Sequence, residues 1–420
     1  MSVEYAQRKQ NPARNLEHVL EAVWPDELRT QFLRACVGNA QEAAENWRTF
    51  TSAVGNPKRF IEGDHSGFKG LLPLLHASAR RNGFQLDAAM WTYLRSATVR
   101  EELRYDAYRG ICNSLLRAYS DAGLPVIALK ACALAETLYE VPSQRHCHAI
   151  DLLAPVGDLA EAGRIATSAG FRPARLMEAR PGIRLGMRHE FGLPFVIHGN
   201  LFDPPIYRFE GDLLWANSSV ATVAGISTRI LSPIHNLLHV LTAAFYDPRR
   251  INMRWAFDAW QLLETLDADS WKKFADLVRV GGMGLPVLTM LRYLAGPLDA
   301  PVPGDAIASI AESTRSPGRP VVEAALSAPI VGLSGLRKVW SRAETGGVRR
   351  AVLRFLLWPS ADYVQWRYAA GSRLILPLRY FFRPLLYLFE ALRWRIFALP
   401  GLNRFTHYKR VAAEIKKLRR

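Results

Sequence analysis

A single carboxylate, Asp151, lies in the apolar stretch "RHCHAIDLLAP", which runs from Arg145 to Pro155. Burying a carboxylate without a partner is costly, so Asp151 needs either a cation or a function. Phosphoryl-transfer sites commonly place two acids at positions i and i+2 of one strand, because alternate strand residues share a face and together hold divalent metal ions. Here the residue two positions earlier is Ala149. The stretch is therefore either a metal site that lacks a ligand or an apolar strand that contains one Asp.

Other side chains near Asp151 could supply the missing ligands. The adjacent candidates are His146, Cys147 and His148. On a regular strand Cys147 would share the face of Asp151, whereas His148 would point away from it. A soft thiolate suits Mg²⁺ poorly. Glu190, in the tripeptide "RHE", is a further candidate if a hairpin through "GLP" brings it near His198.

Two cations and a histidine have both a functional and a structural interpretation. Lys130 ends the apolar run "LPVIALK", where it could contact a phosphate or extend its ammonium group to solvent. Arg145 could bind phosphate or pair with a helix acid such as Glu136 or Glu140, and we favour the pairing. His198 could line a pocket or be a hydrogen-bonded core histidine.

Helical spacing indicates another set of polar residues further along the chain. His235 and His239 are four residues apart, a spacing that can bind a metal ion when a third ligand is close. No third ligand is evident nearby, so buried neutral histidines are the alternative. We expect Arg254, Trp255 and Asp258 to hold helices together.

The elements that position these residues follow from hydrophobic periodicity. Residues 1–120 show helical spacing, and Gly123 ends this N-terminal region. In residues 121–215, short apolar runs bounded by Gly, Pro or Asn alternate with helical segments, which predicts a small core of strands and helices. Residues 216–345 are helical again, and residues 346–420 form a basic amphipathic tail. The expected fold class is α+β, helix-rich, with a small mixed sheet between helical regions.

Composition indicates a globular protein. The chain has 420 residues, of which 49% are apolar, enough for a buried core. Its four cysteines include no CxxC pair, so neither a disulfide framework nor a thiolate zinc site is expected. The N-terminal sequence lacks the apolar segment and cleavage site of a signal peptide, which favours a cytoplasmic protein.

The positive charge is concentrated in the C-terminal tail. The net charge is +16, and residues 349–420 contain 16 Lys and Arg against three acids, which leaves +3 for the rest. The tail contains no uninterrupted run of the roughly 18 to 20 apolar residues that span a bilayer, and Pro377 and Pro384 divide it. We therefore expect the tail to lie on a surface rather than to cross a membrane.

Three interpretations of the tail stay open. It could be a helical extension of the protein with solvated arginines. It could instead attach the protein peripherally to an anionic membrane surface, on the inner face of the membrane. Arginines with interleaved aromatic residues can also bind single-stranded nucleic acid, but glycine-rich or RNP-like motifs that would support this partner are absent from the sequence.

The order of motifs in "GLPVIALKACALAETLYEVPSQRHCHAIDLLAPVGDLAEAGRIATSAGF" resembles a known family. The motifs are a lysine turn at Lys130, a helix that ends in Leu-Tyr, an arginine at Arg145, a strand that carries Asp151, and a helix followed by Gly-Phe. They resemble the uncharacterised bacterial nucleotidyltransferases of the polymerase-beta-like superfamily. The later stretches "FVIHGNL", "MRWAFDAWQLL" and "LWPSADYV" extend the resemblance over about residues 70–370. One departure is Ala131, where the family has glycine.

The resemblance implies transfer of a nucleotidyl group from a nucleoside triphosphate to a small-molecule, carbohydrate or peptide acceptor. In this chemistry Mg²⁺ ions, held by three strand acids, bridge the phosphates and activate the acceptor. Asp151 corresponds to the second acid, but Ala149 stands at the first, and Val196 at the position two residues before His198. We therefore expect an inactive or altered nucleotide-binding fold. The alternative is a noncatalytic, membrane-associated partner or scaffold in a bacterial biosynthetic pathway.

The candidate site follows from the residues and the resemblance together. We expect Asp151 and His198 at the catalytic centre, and Lys130 and Arg145 in contact with the nucleotide. If the protein is active, Asp151 and Glu190 would hold Mg²⁺.

Overall fold

The computed structural model describes residues 12–63, 67–174, 184–202, 206–209, 211–247 and 253–368. The chain forms two compact units. One comprises Val23–Pro317, and the other combines Met1–Ala22 with Gly318–Arg420. The predicted tail is described as far as Tyr368, and its later residues lie outside the described part of the chain.

Helices make up most of the described chain, as the periodicity predicts. Across the described ranges they are α1 (Pro12–Leu20), α2 (Glu27–Val37), α3 (Ala40–Val54), α4 (Pro57–Gly63), α5 (Leu72–Asn82), α6 (Ala88–Asp121), α7 (Lys130–Leu138), α8 (Leu159–Ser168), α9 (Gly211–Ala216), α10 (Pro233–Tyr246), α11 (Arg254–Leu263), α12 (Ala268–Gly281), α13 (Gly284–Ala295), α14 (Gly304–Ser313), α15 (Arg319–Ser327), α16 (Gly332–Arg342), α17 (Gly346–Leu357) and α18 (Ala361–Tyr368). The long helix α6 begins where the Asp87 side chain accepts a hydrogen bond from the backbone N–H of Met90. It ends just before Gly123, whose φ of 66° suits only a residue tolerant of left-handed backbone.

One mixed sheet lies at the centre of the larger unit. Its strands are β1 (Ile127–Leu129), β2 (Ile150–Leu153), β3 (Phe171–Pro173), β4 (Arg184–His189), β5 (Pro194–His198), β6 (Ser219–Val223) and β7 (Ile226–Ile230). They are ordered β3-β4-β5-β2-β1-β7-β6. β2 runs antiparallel to β1 and parallel to β5, and β1 runs parallel to β7. The predicted helix-rich α+β fold with a small mixed sheet is confirmed.

The sheet extends beyond residue 215, where the sequence placed the end of the core. β6 and β7 form a hairpin whose two turn residues, Ala224 and Gly225, have φ values of 51° and 80°. Side chains of two helices hold this turn: Asn113 donates to the Ala224 carbonyl at 2.8 Å, and Glu136 accepts from the Ala224 N–H at 2.9 Å. These bonds fix an alanine in a conformation that usually selects glycine or asparagine.

The two faces of the sheet differ in how they are covered. One face contributes Ala128, Ile150, Leu152, Phe195 and Ile197 to a large core beneath α6 and α8. The opposite face has a smaller apolar cluster, which consists of Ile127, Leu129, Leu153, Leu214 and Leu231. Strand alternation places the Asp151 side chain on this second face.

The described residues of the smaller unit, 12–22 and 318–368, are mainly helical. Asn15 of α1 connects α1 to the segment between α16 and α17, because its Oδ1 accepts hydrogen bonds from the backbone N–H groups of Glu344 and Thr345, and its Nδ2 donates to the Arg342 carbonyl.

In the described part of the chain, no helix combines the length and the apolar character that crossing a membrane requires.

Candidate functional site

Asp151 occupies the middle of the sheet, where it pairs with Leu129 of β1 and with Val196 of β5. Side chains of directly paired residues lie on the same face, so Asp151 and Val196 are neighbours. Asp151 is only 7% exposed, and an unpaired charge at this depth would be costly. The register thus brings together two of the positions at which the resemblance implies acids, with an apolar side chain at one of them.

Lys130 provides the counter-charge. It stands where β1 passes into α7, and its Nζ lies 2.6 Å from Asp151 Oδ1. Its φ is 52°, in the left-handed region that a lysine adopts only under constraint. Ala131 has no positive φ, so an alanine fits the backbone where the family has glycine. The ion pair holds the strand-to-helix turn in this conformation.

His198 contacts the same carboxylate oxygen. It ends β5, two residues beyond Val196, and its Nε2 lies 2.9 Å from Asp151 Oδ1. Burial lowers the pKa of His198 more than its hydrogen bond with Asp151 raises it, so the ring is neutral at pH 7. A neutral ring bonded to a carboxylate must donate, which assigns the proton to Nε2 and leaves Nδ1 as an acceptor.

The cluster of Lys130, Asp151 and His198 is electrically neutral. Burial alone would raise the pKa of the Asp151 carboxyl, but the Lys130 ammonium and the His198 hydrogen bond outweigh it, and the pKa lies well below its usual range. Asp151 is therefore ionised, Lys130 carries the opposite charge, and His198 carries none. A metal ion at this carboxylate would have to displace the ammonium group.

His235 and His239 of α10 are both buried, and both are neutral. Burial lowers the pKa of His239 to about 3 and that of His235 to about 4. The Ser232 hydroxyl lies 2.7 Å from His235 Nδ1. The His239 ring meets the edge of Phe202, and the His235 ring that of Phe209. These contacts favour the interpretation as core histidines.

Arg145 is held by an acid that the sequence did not single out as its partner. Its Nε and Nη2 donate to the two carboxylate oxygens of Asp258 on α11, each at 2.7 Å. Tyr139 donates to the same Asp258 carboxylate. The pair is buried, so its bidentate bonds fix the chain just before β2 against α11. The pairing expected for Arg145 occurs with Asp258 in place of Glu136 or Glu140.

Glu190 lies at the tip of the β4–β5 hairpin. The register pairs Arg188 with Pro194 beside this tip and pairs Arg184 with His198 at the other end. At about 3.3 Å per residue, the distance along β5 from Pro194 to His198 is about 13 Å. Contrary to the expectation, the hairpin does not bring Glu190 to His198, because a tight turn joins only the strand ends next to it.

The three side chains that precede β2 face other partners. His146 Nδ1 lies 2.8 Å from Glu101 of α6, and its ring stacks on that of His148. Cys147 is buried, and its thiol donates to the carbonyl of Ala149. Burial raises the pKa of the Cys147 thiol to about 12, which keeps it protonated. His146 thus pairs with Glu101 and Cys147 bonds to the Ala149 backbone.

The residues present do not fit the Mg²⁺ ions that the resemblance implies. A two-metal centre needs several carboxylate oxygens. Of the three expected acids only Asp151 is present, and its Oδ1 already has two partners. Within the described ranges, no group of three or more His, Cys, Asp or Glu side chains could hold a metal ion.

A comparison of the chain with models of protein families tests the family resemblance that the motifs indicated. Residues 66–299 match the family described as "Uncharacterised nucleotidyltransferase". The chain belongs to this nucleotidyltransferase family. The match includes all seven strands and the cluster around Asp151, and it ends before α14. The stretch "LWPSADYV" lies beyond it. Among curated proteins the chain has no significant match.

Two acids organise this nucleotidyltransferase fold through contacts that the sequence did not predict. Glu136 was considered only as a partner of Arg145, yet it holds the Ala224 turn. Asp258 was expected to join helices, but its bond to Arg145 spans 113 residues. The only sequence signal was the polarity of both acids on otherwise apolar helix faces, which does not name a partner.

Proposed function

We propose that this nucleotidyltransferase-family protein has lost metal-dependent nucleotidyl transfer and acts as a noncatalytic, nucleotide-binding partner in a bacterial biosynthetic pathway. The observation that carries the proposal is the shared oxygen of Asp151, which accepts hydrogen bonds from Lys130 Nζ at 2.6 Å and from His198 Nε2 at 2.9 Å. The one remaining acid is thus already neutralised by the protein.

The loss follows from what nucleotidyl transfer requires. Its transition state is stabilised by positioned cations that neutralise the charge developing on the phosphates, and the acceptor hydroxyl must lose a proton. With Ala149 and Val196 in place of acids, the protein lacks the oxygens that would hold two divalent ions. The neutral His198 could accept a proton at Nδ1, but general-base help alone is worth only about 10²–10⁴-fold.

Phosphate binding has support on the same face of the sheet. The Lys130 side chain is 40% exposed, so its ammonium reaches solvent while bonded to Asp151. Among the described residues, no side chain caps the start of α7, and uncapped backbone N–H donors of a first helical turn suit an anion. Arg184, opposite His198 in the sheet, has an Nε that is buried and has no hydrogen-bond partner within the described part of the chain. These donors together suit a phosphate group.

Calorimetry tests the binding. We expect one of ATP, GTP, CTP or UTP to bind with an affinity that persists in EDTA. Lys130→Ala should weaken binding about tenfold, because a hydrogen bond to a charged group contributes about 1.5 kcal/mol or more. Lys273→Ala on the exposed surface of α12 is the matched control and should bind normally. Failure of all four nucleotides to bind, or binding unaffected by Lys130→Ala, contradicts the nucleotide site.

A transfer assay tests the loss of activity. We expect no Mg²⁺-dependent labelling of any acceptor when cell extract is incubated with the protein and nucleotides labelled at the α-phosphate. Rapid labelling that disappears with Asp151→Ala would show that the centre is active and overturn the noncatalytic proposal.

A further inference from the structure

Helix α17 presents an exposed surface on which arginines and leucines alternate. Its inward side chains are Val348, Val352 and Phe355, which are buried. The outward residues Arg350, Leu353, Arg354 and Leu357 recur at i, i+3, i+4 and i+7, the spacing of one helix face. Leu353 is 44% and Leu357 63% exposed. We call these four residues the arginine–leucine face.

Neighbouring side chains of α16 enlarge this surface. The guanidinium of Arg349 lies over the ring of Trp340 at 5.8 Å from its centroid, so the outward sides of α16 and α17 adjoin. Trp340 and Leu333 are both exposed. Lys338 and Arg342 instead donate to backbone carbonyls of the α1 region.

The charge of this region is predominantly positive. Between residues 332 and 358 there are six Lys and Arg and a single acid, Glu344. An exposed surface that is both cationic and apolar is matched by a partner that is anionic at its boundary and apolar beneath it.

We propose that the arginine–leucine face docks on the anionic surface of a lipid bilayer. Arginine heads would meet lipid phosphates, while Leu353 and Leu357 enter the boundary between headgroups and acyl chains. Trp358, which follows Leu357 at the end of α17, is 70% exposed. The chain beyond Tyr368 continues this composition, with 12 Lys and Arg against two acids up to Arg420.

Other occupants fit this surface less well. A second copy of the chain, docked by a two-fold axis, would set Arg350 and Arg354 against their own equivalents, and like charges across an interface are repulsive. Single-stranded nucleic acid is held by a succession of aromatic side chains on which bases stack. Trp340 and Trp358 are also exposed in this region, whereas the exposed side chains between Arg350 and Arg354 and after them on α17 are leucines. The site lies outside residues 66–299, so it does not depend on the nucleotide proposal.

Vesicle flotation of the full-length protein tests the proposal. We expect binding to vesicles of mixed phosphatidylglycerol and phosphatidylcholine, and little binding to phosphatidylcholine alone. Each arginine near an anionic surface contributes about 1 kcal/mol, so Arg350→Gln with Arg354→Gln should lower the partition coefficient about 30-fold. High salt should also weaken vesicle binding by the wild-type protein, because salt screens the electrostatic attraction between the arginines and the anionic lipids. Leu353→Gln with Leu357→Gln should weaken the binding that remains at high salt.

Control variants in the larger unit test whether a change of charge or polarity anywhere on the surface alters flotation. Arg164→Gln with Arg315→Gln removes two exposed arginines from the larger unit, and Phe191→Gln removes an exposed apolar side chain there. All should float like the wild type. Equal flotation of the α17 variants and the controls would overturn the proposal. The proposal would also be overturned if the wild-type protein did not bind anionic vesicles and instead retarded single-stranded RNA on a gel or formed dimers through α17.

Discussion

Lys130 Nζ and Asp151 Oδ1 lie 2.6 Å apart, so an ammonium group of the protein itself neutralises the carboxylate at which the family's chemistry implies a metal ion. The neutral His198 ring, on the neighbouring strand β5, gives the same oxygen a second hydrogen bond. A carboxylate with two internal partners is stable without a ligand, and the geometry around it can be tested apart from any nucleotide.

The left-handed backbone of Lys130 predicts an unusual order of stability among variants. Lys130→Ala removes the counter-charge of Asp151 and keeps the strained φ of 52°. Lys130→Gly loses the same charge but relieves the strain, so it should be more stable than Lys130→Ala by about 1 kcal/mol in urea denaturation. Ala131→Gly is the neighbouring control, and it should instead destabilise by about 1 kcal/mol because its φ is not positive. If glycine were more stable than alanine at both positions, or less stable at both, the result would argue against the strained turn.

The register of β2 and β5 predicts that a metal site can be rebuilt. Val196→Asp would place a carboxylate beside Asp151 on one face. Ala149→Asp adds another at the residue just before β2, two positions from Asp151, where continued strand alternation would set it within reach of a common cation. We expect the double variant to bind Mn²⁺, measured by the loss of the free-ion signal in electron paramagnetic resonance, at least tenfold more tightly than the wild type does. Val220→Asp with Val280→Asp adds the same charge at distant exposed positions and should bind no better than the wild type. If both variants behave alike, the three positions do not converge.

The buried histidines of α10 predict a loss of stability in acid. Burial lowers the pKa of His239 to about 3 and that of His235 to about 4, against about 6.5 in an unfolded chain. Between these values the unfolded state binds protons that the folded state does not, so the free energy of unfolding falls as the pH drops from about 6.5 to 4. Each histidine contributes up to about 1.4 kcal/mol per pH unit.

Denaturation at several pH values measures this slope. The variant His235→Gln with His239→Gln should be less stable at pH 7 and should lose less stability on acidification. An unchanged slope in the α10 variant would show that these rings are already protonated in the fold.

Hydrophobic periodicity and turn residues predict the helices and strands that depend on their own local sequence. Gly123 ends a helix because its φ requires it, and "VREELRYDAYRGICNSLLRAYSDAG" is helical through its own periodicity. The strands β1, β2 and β5 are apolar enough to be recognised singly. β6 and β7, with "SVATV" and "ISTRI", are short and partly polar, and their turn at Ala224 depends on Asn113 and Glu136, which lie far away in the chain.

In the candidate site, too, some features follow from local sequence and others depend on the tertiary structure. The positions of Asp151 and Val196 follow from strand alternation and motif order, which are local. The partners of Arg145 and Glu190 depend on tertiary register: Asp258 reaches Arg145 across 113 residues, and the hairpin carries Glu190 to the end of the sheet away from His198. Sequence spacing predicts which residues share a face, but it does not predict which acid meets which cation.

The turn at Ala224 has a consequence for the motions of the sheet. A hairpin tip is ordinarily among the first segments to open, and its amides exchange with solvent within short times. Here the single residue Ala224 is bound through its N–H to α7 and through its carbonyl to α6. Opening the tip therefore breaks the bond between Ala224 and Glu136, a residue of the helix that begins at Lys130, the counter-ion of Asp151. This bond joins the outer edge of the sheet to the helix beside its charged centre.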